Sequence, residues 1–457
     1  MVRRAAAPLR CLCALTAASW ACDGGLNLLG DGDLSDEASR EADSDAVSPD
    51  DAAPESDAVF PDASPSATCA DLDADLVVPR DYPSIQAAID AAPAGALVCV
   101  EPGTYHGYLM LQDRPPLRLV GAAGPAATII DGNAEWTVVS FTLMAEGTSL
   151  EGFTLRNGWQ DSPRGAGINM YASTVTLHNL LIVDNTSDWS PVGGVHLHAG
   201  SSVVLSDVVI ARNVARGGQA GGMLVSNASV TARNVVVTAN AAARTVPAGG
   251  GGIFVASGGP GERSSLSLDG VIVAGNTGGL VVGENTILAA RNSVVTGNLG
   301  SGLFVNGGVA DLVNVGFTFN DGTGLHIERG TATARGCNAF GNGSTDVAGF
   351  DGSWEAGGNL SVDPLYLDVS DDRPLQWDLH LSTASPLIDA GDPAILDPDG
   401  SRSDIGAWAG PAALDWDLDG DGYPSWWQPG PYDGASYPSL GLDCNDSDRA
   451  LYPGAGC

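Results

Sequence analysis

The sequence predicts an all-β chain whose body is a right-handed parallel β-helix, a solenoid of stacked coils. Three observations predict it: a repeat that settles to a period of 22 residues, apolar–polar alternation inside each copy, and an asparagine that closes every copy. Composition agrees, because glycine supplies 61 of the 457 residues. Val, Ala, Leu and Thr dominate the remainder, which suits short strands and tight turns and suits long helices poorly.

The elements follow in chain order. Arg3 and Arg4 form a basic start, and an apolar stretch from Leu9 to Ala18 is too short to span a bilayer comfortably. Ser19-Trp20-Ala21-Cys22 then resembles the lipobox of bacterial lipoproteins, so residues 1–22 are expected to be a signal peptide with Cys22 acylated. Ser19 departs from the aliphatic residue usual at that position, and ordinary cleavage with secretion is the alternative. Residues 23–68 are Asp, Ser, Pro, Ala and Glu with almost no aromatic residue, the composition of a disordered acidic linker. An extracellular or outer-membrane address follows, with the membrane reached only through the lipid. The chain is expected to be monomeric.

Charge narrows the partners. The formal net charge is -35, and all 20 basic residues are arginine. Nucleic acid and anionic membrane surfaces would be repelled. Polysaccharide remains a compatible partner.

The repeat occupies most of residues 69–410. From Gly165 the chain reiterates Gly, apolar, any, apolar, a short turn, then an alternating strand ending at Asn185, Asn213, Asn240, Asn276, Asn298, Asn320 and Asn342. The last four are 22 apart (298 − 276, 320 − 298, 342 − 320). Earlier spacings of 27 to 36 imply loops inserted into individual coils. Six residues before each asparagine lies a turn former: Asn179, Asp207, Asn234, Gly270, Asn292, Asn314 and Gly336. Eight before lie Leu177, Leu205, Ala232, Leu268, Ala290, Leu312 and Ala334, all apolar; seven before the residues are mostly polar. Alternating columns in one register mean a strand with one face inward, stacked like on like.

These features resemble the parallel β-helix repeat of the pectin-lyase-like superfamily, with its asparagine ladder at a turn. The segment from Tyr82 to Asp90 and the strand from Val98 to Tyr105 are similar to that family's N-terminal cap helix and first strand. Asp363-Pro-Leu-Tyr, Ser385 to Asp392 and Asp404-Ile-Gly-Ala resemble its C-terminal segment. The resemblance implies the fold and leaves the activity open, since lyases, hydrolases, esterases, adhesins and inert scaffolds share it.

No catalytic set of that superfamily transfers. The Asp-Asp pair with Gly-His-Gly of its hydrolases is missing, as is the Gly-x-x-Asp-Phe-Ile-Phe of its pectinesterases. Without lysine, a lyase base would have to be arginine. Two columns deserve weighing. Arg233, Asp269, Arg291 and Arg335 make either a cationic strip or a solvent-facing ladder of alternating charge. The outward column of the Gly-Gly strands offers Asn169, His196, Phe254, Phe304 and His326, with Tyr171, His198 and Glu328 two residues on. Exposed aromatics beside polar groups suit a sugar-binding groove, unless a loop such as Arg244 to Ser265 covers the apolar middle. His196 and His198 share a strand face as a possible metal pair lacking a third ligand.

Cysteine use fits an oxidising compartment. Cys11 and Cys13 leave with the signal; Cys69 and Cys99 bracket the start of the folded part, and Cys444 and Cys457 its end, giving two disulfides. Cys337 falls in an apolar column and reads as a small buried hydrophobe.

Residues 411–457 change character. Asp417, Asp419 and Asp421 alternate up to a glycine, with Tyr423 offering a carbonyl and Asp443, Asn445, Asp446 and Asp448 following. Hard oxygen ligands so spaced can wrap Ca2+, although the EF-hand's twelfth-position Glu is absent. The order DGDGY, DCxDxD, PGA resembles a short metal-binding repeat of secreted bacterial proteins; a solvated acidic tail is the alternative. Three functions stay open: a surface module that binds polysaccharide or mediates adhesion, a polysaccharide lyase or hydrolase with an unrecognised site, and a structural spacer.

Overall fold

The computed structural model describes residues 68–411, apart from 163, 244–249, 260 and 370–376. The signal, most of the linker, Cys22, the Cys444 and Cys457 pair and the whole acidic motif from Asp417 to Asp448 lie outside the described residues.

The body is the right-handed parallel β-helix expected. One inward position can be followed through eleven rungs: Leu76, Val98, Leu119, Leu150, Leu177, Leu205, Ala232, Leu268, Ala290, Leu312 and Ala334 are successive register partners. All eleven are buried. A second inward column runs Leu109, Val139, Ile168, Val195, Met223, Ile253, Leu280, Leu303, Leu325 and Val347 along the Gly-Gly strands. Each rung thus feeds one shared core, and no rung could bury its apolar face alone.

The turn columns explain why the polar residues recur. The residues six before each ladder asparagine all adopt left-handed backbone, from φ 47° at Asn179 and Asn292 to φ 63° at Gly270. Asn, Asp and Gly enter that region at least cost. The ladder itself is buried from Asn185 to Asn320 and half-buried at Asn342. Each Asn Nδ2 donates to the next Oδ1 at 2.9–3.0 Å, from Asn185 through Asn213, Asn240, Asn276, Asn298 and Asn320 to Asn342. Asn342 ends the series on Asp346 Oδ1 at 2.8 Å, an acceptor that needs no further donor. Every Oδ1 in between also takes the backbone N–H of the preceding asparagine.

The long coils carry their extra residues after the ladder. Trp159–Gln160, Thr186–Ser187, Val214–Ala215 and Ala241–Ala242 pair in parallel as a small separate sheet. Bridges from Val192 to Ala220 and Ala220 to Gly250 keep these loops in register.

Both ends of the core are closed by packing. Helix α1 (Ile85–Ala91) starts at Ser84, whose hydroxyl accepts the Ala87 N–H at 3.2 Å, and sends Ile85, Ala88 and Ile89 into the core. Cys69 and Cys99 are joined by a disulfide beside this end. At the other end Trp354 enters the core, with Phe350 against its ring and its indole N–H on Leu360 O at 2.9 Å. The chain then returns along the outside. Leu379 and Ala407, with Tyr366, Trp377 and Trp408, join Leu181, Val209, Val236, Ile272 and Val294 in an external apolar cluster. The stretch of each of these rungs that carries Leu181, Val209, Val236, Ile272 or Val294 is therefore buried on both faces.

Candidate carbohydrate-binding face

The Gly-Gly strands stack as expected, so the proposed outward column is one line: Asn169, His196, Leu224, Phe254, Val281, Phe304 and His326 are register neighbours. Its accessibility corrects the expected groove. Asn169 is 4% exposed, His196 7% and Phe304 2%, too little for any of them to stack on a ligand. Phe254, His326 and His198 are half-buried, while Tyr171 and Glu328 are exposed. Cover over the middle comes from the stacked loops, because Val192 and Ala220 bury Leu224 and contact Phe254 and Ala256. Residues 244–249 of the suspected insertion lie outside the described residues.

The open aromatics are elsewhere. Among the described residues, every exposed Tyr, Trp or Phe falls between 108 and 189: Tyr108, Trp136, Tyr171 and Trp189. Tyr108 and Trp136 precede the strands Leu109–Gln112 and Val139–Thr142, which pair with each other, and their ring centroids are 6.2 Å apart. Val139–Thr142 pairs in turn with Ile168–Tyr171, where Tyr171 meets His198 edge-on at 5.3 Å. Met110 is exposed on the same sheet face, beside the amide of Gln112 and the hydroxyls of Ser140 and Thr142. Apolar ring faces alternating with hydroxyl and amide groups can cover a pyranose ring and read its rim. The rungs of Tyr108 and Trp136 precede Asn185, the first ladder asparagine, so the repeat pattern does not mark them.

The histidine pair is not poised for a metal. The His196 and His198 rings lie parallel within 16° and 4.2 Å apart, so their in-plane lone pairs do not converge on one ion. His198 Nε2 lies 3.3 Å from Asn169 Oδ1, a contact that requires the proton on that nitrogen. Burial, then the neighbouring imidazole, pulls the His196 pKa down to about 3. Burial and nearby Arg164 also lower that of His198. Both rings are neutral at physiological pH. Among the described residues no three or more His, Cys, Asp and Glu side chains gather as a metal site.

The arginine column behaves as an alternating ladder. Arg291 lies 4.0 Å from Asp269, and Arg335 sits 3.8 Å from Asp311 and 4.0 Å from Asp392. Guanidiniums so flanked by carboxylates are taken up as ion-pair partners along the ladder. Up to three rungs above Arg233, the same column reaches a cluster the sequence did not reveal. Glu151 pairs in register with His178, whose Nδ1 lies 3.2 Å from Asp207 and 2.9 Å from Ser206 Oγ. Burial raises the Glu151 pKa against the pull of His178 and Arg118. His178 is raised too: burial lowers it, but Asp207 and Glu151 outweigh that. Glu151 is 2% exposed, so this cluster is structural. In the rung of Glu151, Gly158 holds the ladder position and donates its N–H to Asn185 Oδ1 at 2.8 Å, so the asparagine pattern does not extend to it. Cys337 is buried as expected, its Sγ on Arg335 O at 3.5 Å, the contact that Ser293 makes to Arg291 O. Burial pushes its thiol up to about 12.

No family model and no curated protein sequence matches the chain. Solved structures do resemble it. Pectate lyase Pel9A is 16% identical over 71% of this chain and 90% of its own, with a TM-score of 0.46. The A-module of the mannuronan C-5 epimerase AlgE4 from Azotobacter vinelandii is 17% identical over 62% and 94%, TM-score 0.29. The catalytic domain of an α-1,3-glucanase is 13% identical over 63% and 67%, TM-score 0.27. Identities this low say nothing about a shared reaction.

Proposed function

We propose that the protein is a surface module that binds polysaccharide through the outer face of its N-terminal rungs. One observation carries this reading: three of the four exposed aromatic side chains among the described residues, Tyr108, Trp136 and Tyr171, belong to three consecutive rungs beside hydroxyl and amide groups, while Trp189 lies on a loop further along the chain. Single exposed aromatics would need no explanation; a contiguous set does. The expected lipid anchor on Cys22 and the acidic linker would hold this face away from a membrane, and calcium bound by the residues from Asp417 to Asp448 would order the C-terminal segment.

The test is size-exclusion chromatography of the full chain mixed with defined polysaccharides in calcium. Co-elution with polymer of unchanged length supports a binding module. Shortened polymer would replace it with an enzyme, and absence of both would leave a spacer.

A further inference from the structure

We propose, resting on that reading, that the glycan recognised is an uncharged one, held on the exposed face that carries Tyr108, Trp136 and Tyr171. The charge around the face argues for it. An acidic glycan presents a carboxylate on each sugar and needs cations at matching intervals, usually arginine or lysine. Lysine is absent from the chain. Exposed acids border the face instead: Asp113 follows the strand Leu109–Gln112, Glu135 precedes Trp136, and Asp161 lies on the next loop.

The arginines nearby are engaged. Arg156 donates to Asp131 at 2.8 Å, Arg212 to Asp184 at 2.7 Å and Arg216 to Asp188 at 2.8 Å. Arg114 turns its Nη2 to Ala92 O at 3.1 Å. Arg164 is the remaining exposed guanidinium, a single charge where a polyanion would need several. The two histidines add none, being neutral at physiological pH. A uronate polymer would also enter the field of a chain of net charge -35.

Tyr108, Trp136 and Tyr171 belong to three consecutive rungs. Tyr108 and Trp136 precede their strands, whereas Tyr171 stands opposite Gln112 and Thr142 at the far end of its own. Four residues separate Tyr108 from Gln112, about 13 Å of strand, so a glycan touching all three rings crosses the strands obliquely.

The experiment is affinity gel electrophoresis of the full chain, wild type and Trp136→Ala, against neutral polymers (β-glucan, xylan, galactomannan) and uronate polymers (polygalacturonate, alginate), with calcium present throughout. Trp136 is 57% exposed, so its truncation leaves the core intact. At least one neutral polymer should retard the wild type, with a loss on the order of tenfold in Trp136→Ala. Uronate polymers should not retard it. Retardation by a uronate polymer, dependent on Trp136 and abolished by salt, would overturn the uncharged assignment while sparing polysaccharide binding. Neutral binding untouched by Trp136→Ala would overturn the face. No retardation by either class would overturn both this inference and the binding reading beneath it.

Discussion

Replacing Asn298 by alanine removes one rung of the ladder and isolates what that ladder contributes. Asn298 is fully buried. Its Nδ2 donates to Asn320 Oδ1 at 2.9 Å, Val273 O at 3.0 Å and Thr296 O at 3.1 Å. Its Oδ1 accepts from the Asn276 backbone N–H and side-chain Nδ2, both at 3.0 Å. After truncation Asn276 Nδ2 keeps Val237 O and Ala274 O, and Asn320 Oδ1 keeps the Asn298 backbone N–H. The Asn276 backbone N–H loses the acceptor it had, inside a core that water does not reach. An orphaned buried donor costs roughly 1–3 kcal/mol, and four further lost bonds at about 0.5–1 kcal/mol each bring the total to about 3–7 kcal/mol. Few single substitutions cost so much. Urea denaturation followed by far-ultraviolet circular dichroism measures it. Asn306→Ala, which gives up one exposed bond from Arg329, is the control and should cost under about 1 kcal/mol. A loss below about 1.5 kcal/mol for Asn298→Ala would refute the reasoning, since it would mean the ladder relaxes around the gap.

Other outcomes follow from the same coordinates. The folded pKa of His178 lies above its ordinary 6.5, so the stability it contributes is complete below 6.5 and lost as pH rises through the raised value. Denaturation of wild type and His178→Gln across pH 5.5 to 9 should show that slope in the wild type alone. Glu151 is raised above 4.5 by burial, which penalises its ionised form at neutral pH; Glu151→Gln should therefore raise stability at pH 7.5, and a marked loss would contradict the burial argument. Cys337 should resist thiol reagents until the protein unfolds, and Cys337→Ser should be mild because Ser293 already makes the same contact. Chelating calcium should lower the melting temperature, by an amount set by ligand concentration over affinity, about 2.7 kcal/mol at a hundredfold excess; an unchanged melt would remove the metal from the account.

Much of the fold was legible because its columns repeat. Seven asparagines in register announced the ladder, and the apolar column eight residues before them announced the core. The outward face was not legible in the same way. Alternation marks Phe304 as outward-pointing, yet outward does not mean exposed once neighbouring loops stack over a strand. The apolar runs at Leu181, Val209, Val236 and Ile272 carry a further signal. Continuous apolar sequence, without polar alternation, marks a strand buried on both sides, and the returning segment with Leu379 and Ala407 supplies the second cover. The aromatic face stayed hidden for a simpler reason. The rungs of Tyr108 and Trp136 carry no ladder asparagine, so nothing in the repeat aligns them with Tyr171.

Hydrogen exchange of the full chain with and without a neutral polysaccharide that retards it tests the central claim most directly. Slowed exchange confined to Leu109–Gln112, Val139–Thr142 and Ile168–Tyr171 is the predicted result. Protection centred instead on the rungs of Phe254, Phe304 and His326 would contradict it.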